Sequence, residues 1–254
     1  MTWLEALLLF VAGTAAGTIN TVVGSGSLVT FPTLLALGYP PVLANVTNNI
    51  GVLPGSISGA IAYRQELRGQ ARGLLPLALC SLIGGASGAL LLLVLPASAF
   101  DAIVPVLIIA ACVLVVAAPW LKRWAFRRAT AVRPGGSARA TTLLTTTGLT
   151  GVYGGYFGAA QGVILLALLS IMLPGDLQRA NAYKNVLAAV ANGAAALVFV
   201  FTTSVAWFAG GIIALGAILG GQLGASVGRR LPPVVYRIVI VLIGIAAVVY
   251  FYTK

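Results

Sequence analysis

Apolar residues gather along the chain in ten stretches, at about 3–23, 27–38, 41–63, 73–95, 98–120, 140–160, 163–174, 178–201, 206–228 and 234–253. A helical crossing of a bilayer takes roughly 20 residues, and most of the stretches reach it. Those at 27–38 and 163–174 do not. About 12 residues make roughly 18 Å of helix, against a hydrocarbon core of about 30 Å. Each short stretch follows a glycine-containing break, Gly24-Ser25-Gly26 in one case and Ala160-Gln161-Gly162 in the other. We read them as half-helices or re-entrant segments, because backbone groups freed by a break must line a cavity or be covered by protein.

Sliding the chain against itself by 136 positions brings Gly26 onto Gly162, Ala44-Asn45 onto Ala180-Asn181 and Asn49 onto Asn185. The same ungapped shift pairs Gly84-Gly85-x-x-Gly88 with Gly220-Gly221-x-x-Gly224, and Leu95-Pro96 with Leu231-Pro232. Two homologous halves follow, with five helical segments each and one short broken or re-entrant helix per half. The basic loops swap position between them. Arg64, Arg68 and Arg72 correspond to an uncharged stretch around Thr202-Thr203-Ser204, and Arg229-Arg230 correspond to Leu93-Val94. Under the positive-inside rule the halves then have opposite orientations. The expected fold is an all-α polytopic membrane protein made of two inverted-topology repeats. Its parts are an N-terminal repeat at 1–121, a basic cytoplasmic linker at 122–139 and a C-terminal inverted repeat at 140–254.

Composition sharpens this picture. The 254 residues are 60% hydrophobic and 7% charged, with Lys+Arg 15, Asp+Glu 4 and no His. A soluble domain carries roughly 25% charged residues, so a water-facing surface could not be covered. The net charge of +11 is mostly an orientation signal. With both termini outside, Arg64, Arg68, Arg72, Lys122, Arg123, Arg127, Arg128, Arg133, Arg139, Arg179, Arg229, Arg230 and Arg237 share the cytoplasmic side, which leaves only Lys184 and Lys254 elsewhere. No nucleic-acid partner is expected. Residues 1–20 lack a basic start and carry Glu5, so they are kept in the fold and not read as a secretory signal. Cys80 and Cys112, separated within apolar runs, make neither a redox pair nor a metal cluster. Without His there is no Ser-His triad, and a Ser–Lys dyad would need a lysine of depressed pKa beside a serine. Neither an enzyme nor a cofactor or metal site is expected.

The candidate chemistry lies on two polar stripes. Asn45, Asn48, Asn49, Ser56 and Gly59 share one helical face, and Asn181, Lys184, Asn185, Asn192 and Ala195 occupy the matching positions of the second half. Polar side chains this dense should face each other or a wet cavity. Inverted repeats with broken helices direct half-helix N-termini at an anion near the midplane. The candidate donors are Ser25, Gly26 and Ser27 at one tip and Gln161 and Gly162 at the other, with Asn48, Asn49 and Asn185 beside them. Tyr153, Tyr156 and Tyr183 could shape the cavity, and an anionic ligand could be the missing counter-charge of Lys184. Pairing with Asp176, or snorkelling, is the alternative. Lys184→Ala is then expected to weaken anion uptake with folding intact. The two glycine clusters read as close helix packing. Because no acid or His stands at the expected midplane, anion efflux could run as an electrogenic uniport.

The stretch GTINTVVGSGSLVTFPTLLALGYPPVLANVTNNIGVLPGSISGAIAYRQEL, residues 17–67, resembles the N-terminal signature of the sulfite exporter TauE/SafE family. The shared features are a Gly-rich first break, a short P-T-L-L segment, an A-N-x-T-N stretch and a weak repeat in the second half. The resemblance implies a permease, with export the expected direction, for sulfite, sulfoacetate or a related sulfur-containing anion across a bacterial inner membrane. It carries over the Ser25–Ser27 turn, the Thr47-Asn48-Asn49 stretch and the Lys184-Asn185 pair as substrate-binding. The expected partners are the anion and the lipid bilayer, with the chain a monomer or homodimer. Competing readings are an importer or channel for small inorganic anions, and a non-transporting membrane assembly subunit.

Overall fold

A computed structural model of the protein describes residues 1–131, 137–172, 177–226 and 233–253. Arg133, Asp176, Arg229, Arg230, the Leu231-Pro232 pair and Lys254 lie outside the described residues. Ten helices follow one another: α1 (Trp3–Val22), α2 (Ser27–Ala36), α3 (Pro41–Ala62), α4 (Ala71–Val94), α5 (Ala97–Ala131), α6 (Ser137–Tyr156), α7 (Gln161–Met172), α8 (Leu177–Thr202), α9 (Trp207–Ser226) and α10 (Pro233–Thr253). They correspond one for one to the ten apolar stretches. Residues 122–131, read from the sequence as linker, continue α5 as helix, and α6 starts at Ser137. A helix that leaves the bilayer no longer needs an apolar face, so hydropathy ends before the hydrogen-bond ladder does.

Glu5 explains how the first helix starts. Its carboxylate accepts the Thr2 N–H at 2.8 Å while the Thr2 hydroxyl accepts the Glu5 N–H, a reciprocal N-terminal cap. Among the described residues five helices have the length and hydropathy of membrane spans: Trp3–Val22, Ala71–Val94, Ala97–Leu121, Gln178–Thr202 and Trp207–Ser226. The 22-residue α3 is as long, but its face of buried amides lowers its hydropathy. Outward-facing side chains are large and apolar, among them Trp3, Val94, Val106, Trp120, Phe201 and Leu242, while asparagines and a lysine are buried. This inside-out distribution is what lipid as solvent requires.

Two triads of helices form the centre. Gly216, Gly220 and Gly224 of α9 lie directly against the backbone at Phe10, Thr14 and Thr18 of α1, in the same order, so the two helices run parallel. α3 joins them in the same direction, with Gly51 against Ile213 and Gly55 against Ala217. A Cβ on Gly220 would collide with the Thr14 carbonyl, so the approach of these backbones depends on its absence. The second triad repeats the arrangement: Gly84 and Gly88 of α4 press on the α6 backbone at Gly148 and Val152, and Gly85 presses on α8 at Ala191. The glycine clusters thus serve helix packing, as the sequence suggested. Between the triads α3 packs along α8 with the opposite sense, Leu53 near Gly193 and Tyr63 near Asn181. The short helices sit outside, α2 against α1, α3 and α10, and α7 against α6, α8 and α5.

Candidate functional site

The two breaks meet. Gly162 donates its N–H to the Gly24 carbonyl at 3.0 Å, and a Cβ on either residue would run into the backbone of the other. Gly24 has φ 90° and its counterpart Ala160 has φ 61°, so both turns rely on a left-handed residue at the same repeat position. The second break lies earlier than expected: the turn spans 157–160, and Gln161 and Gly162 already belong to α7. The Tyr153 hydroxyl donates to the Ala159 carbonyl inside that turn. Tyr156 and Phe157 pack edge-on to Phe100 and Phe31, the Phe31–Phe157 centroids being 5.3 Å apart.

Chain breaks leave helix-terminal carbonyls without partners. Here the opposite half supplies them. Lys184 of α8, 1% exposed, donates from Nζ to the carbonyls of Asn20 (2.9 Å) and Thr21 (3.0 Å) at the end of α1. One turn earlier, Asn181 donates from Nδ2 to the Thr21 carbonyl at 3.2 Å and to the Tyr63 hydroxyl at 2.8 Å. Reciprocally, Asn45 of α3 donates to the carbonyl of Tyr156, the last residue of α6, at 2.8 Å. The Lys184 charge therefore sits at the negative end of the α1 dipole. The carbonyl lone pairs hold the ammonium in place without neutralising its charge.

Of the predicted site residues, Ser25, Gly26, Asn48, Asn49, Gln161, Gly162, Lys184 and Asn185 are buried at the tips or on the two facing stripes, and Ser27 is half-buried at the start of α2. The Asn48 amide oxygen accepts the Thr30 hydroxyl of α2. Gly26 lets α2 close on α1, for a Cβ there would strike the Ala16 carbonyl. Thr47 and Tyr183 are not brought to the tips. The Thr47 hydroxyl accepts the Ala206 N–H ahead of α9 at 3.1 Å, and the Tyr183 hydroxyl lies beside Gln70 and Gly73. At 100° per residue each points away from the stripe of its own helix. Asn20, Thr21 and Tyr63 went unnoticed in the sequence. The missing signal was the demand of two interrupted helices for C-terminal caps.

Several buried polar atoms at the tips and along the two stripes have no protein partner: Ser25 Oγ, Gln161 Nε2, Asn49 Oδ1, Asn185 Nδ2, Asn45 Oδ1, Asn181 Oδ1 and Asn192 Oδ1. Six of these residues form three pairs at the 136-residue spacing, 25 with 161, 45 with 181 and 49 with 185. Buried polar groups are otherwise almost always satisfied, so a row of orphans along the two stripes marks room for water or a ligand. The mixture of amides and hydroxyls offers both donors and acceptors.

The family profile described as "Sulfite exporter TauE/SafE" matches residues 9–251. The chain is 30% identical over 238 residues to a protein of a Sinorhizobium species named "Probable membrane transporter protein ORF9", covering 94% of this chain and 88% of that one. It is 31% identical over 230 residues to the Escherichia coli "Probable membrane transporter protein YfcA", covering 88% and 82%. A Haemophilus influenzae "Probable membrane transporter protein" is 27% identical over 225 residues, covering 86% and 83%. No solved structure matches. With its interior of paired amides, its apolar exterior and a profile match over nearly its whole length, the chain belongs to the sulfite exporter TauE/SafE family of membrane transporters.

Proposed function

We propose that the protein is a permease for a small sulfur-containing anion, such as sulfite or an organosulfonate, bound where the two chain breaks meet. The observation that carries this is three unpartnered buried donors, Ser25 Oγ and Gln161 Nε2 at the tips and Asn185 Nδ2 on its stripe, while the unpartnered atom of Asn49 is an accepting amide oxygen. Charge-neutral donors suit a substrate that must leave as readily as it enters, since each hydrogen bond is exchanged for one to water. Lys184, held by the Asn20 and Thr21 carbonyls, contributes a fixed positive field and not a direct salt bridge.

The halves are read as inverted repeats about an axis through this site. Matching helix pairs support that reading: α1 lies on α9 as α6 lies on α4, with opposite sense in the two triads. The basic residues support a cytoplasmic assignment for one end. Arg64, Arg68 and Arg72 join α3 to α4, and Arg179 opens α8 beside them, where Tyr183 reaches Gln70. Export from a bacterial cytoplasm follows the family description and the membrane potential, which favours outward movement of each negative charge by about 2.3 kcal/mol per 100 mV. No coupling ion is then required.

Reconstitution into liposomes with labelled sulfite, sulfoacetate, thiosulfate and sulfate under imposed voltage tests this. The expected result is flux of one or more sulfur oxyanions or organosulfonates that scales with voltage at equal pH on both sides. Flux that vanishes without a pH gradient at clamped voltage would reject the uniport, and absence of flux for all four would reject the substrate class.

A further inference from the structure

The interior of each triad and the seam between the triads are built from different chemistry. Within α1–α3–α9 and within α4–α6–α8, backbones touch through glycines, and side chains pin neighbours further. Thr18 Oγ1 donates to the Gly220 carbonyl at 3.1 Å, Ser58 Oγ to the Ile218 carbonyl at 3.0 Å and Ser81 Oγ to the Leu187 carbonyl at 2.7 Å. Separating such surfaces would lose dispersion contacts along whole helices. The seam instead holds the α3–α8 contact, the Gly24–Gly162 bond and the helix-end caps. The caps lie at opposite ends of α3. Asn45 stands one turn inside its start, and Tyr63 follows its last residue, next to Arg64.

Each cap joins one triad to the other, since Asn45 reaches α6 and Asn181 and Lys184 reach α1. Their strengths differ. At the arginine end the cap comprises two bonds from the Lys184 ammonium and two from Asn181, whereas the far end has the single Asn45 to Tyr156 bond among the described residues. Bonds from a charged donor are roughly twice as strong as neutral ones.

Building on the transport reading, we propose that the moving bodies are the two triads and not the two sequence halves. The caps on α1 and α6 are their gates. The charged gate at the arginine end is the stronger, so the empty carrier opens to the opposite face. Rocking about α3 and α8 then requires breaking one cap at a time, and it leaves the glycine contacts within each triad intact.

The test uses the full chain with Cys80→Ser and Cys112→Ser, reconstituted in liposomes. Asn49→Cys reports access to the interior stripe, and exposed Gln65→Cys identifies the arginine face. A membrane-impermeant maleimide should label Asn49→Cys about tenfold faster from the face opposite Gln65, as expected when several hydrogen bonds compete with one. Lys184→Met should abolish or invert that ratio, and Lys184→Arg should retain it. Asn181→Ala should shift it the same way as Lys184→Met, should the lysine variant not yield a monodisperse protein. Equal labelling from both faces, no labelling from either, or a ratio unmoved by these variants would overturn the proposal. Anion flux is measured separately with Asn49 intact. Its failure would remove the substrate assignment, while the labelling ratio would still report on the gates.

Discussion

Gly24 and Gly162, whose repeat partners at the 136-residue spacing are Ala160 and Gly26, share a backbone hydrogen bond of 3.0 Å at the place where both interrupted helices end. The contact leaves no space for a side chain on either residue. It fixes the separation of the two tips, and hence the spacing of Ser25 and Gln161, which flank them.

Gly24→Ala should therefore be costly. A left-handed alanine loses about 1–2 kcal/mol before the collision with Gly162 is counted. Ala160→Gly removes the same kind of strain at φ 61° and should raise the unfolding temperature in detergent. Thermal unfolding of the two variants should move in opposite directions.

The orphaned amides make a sharper test. Asn49→Leu, Asn185→Leu and Gln161→Leu each replace an unsatisfied buried group with an apolar one of similar size. Each should leave stability unchanged or increase it by about 1 kcal/mol, since an unmatched desolvation is relieved. For Gln161 and Asn185, whose orphaned nitrogens are donors, anion flux in liposomes should fall at least about tenfold, the loss expected when one or two hydrogen bonds to the substrate are removed. Loss of stability together with flux would mean that these amides are structural.

Lys184→Ala was expected on sequence grounds to impair transport and spare folding. The carbonyls of Asn20 and Thr21 change that expectation. Removing the ammonium strips a cap from α1, so unfolding should become easier by about 1–3 kcal/mol. Lys184→Arg should recover most of it, and a chemical unfolding series in mild detergent would measure both.

On α9, Gly220 and Gly211 separate packing from propensity. A Cβ at Gly220 meets the α1 backbone, whereas one at Gly211 meets nothing within 4 Å. Gly220→Ala should destabilise by about 1–3 kcal/mol and Gly211→Ala should be neutral or slightly stabilising. Parallel melting curves would show it.

The ten helices were legible because lipid imposes length and hydropathy on each of them, and the short α2 and α7 stood out for the same reason. Burial of Asn48, Asn49 and Asn185 was legible from their shared faces, and that of Gln161 from its place at a break. The angular position of Thr47 and Tyr183, on the far side of those faces, could have been read from helical periodicity as well. What the residues could not disclose was which helix end each amide would reach. Lys184 has no local partner in sequence, and its carbonyl acceptors lie more than 160 positions away. The helical continuation of α5 past residue 121 was hidden because Lys122, Arg123, Arg127 and Arg128 interrupt the apolar run from which a span is read.

The interleaving of the halves has a consequence for biogenesis. α1 emerges first from the ribosome, yet the glycine face of its partner α9 is encoded nearly 200 residues later. At about 5–20 residues per second, α1 waits roughly 10–40 s in the membrane with its packing surface uncovered. The amino-terminal five helices are therefore not a self-sufficient folding unit, and the native bundle closes only after the ninth helix has been inserted.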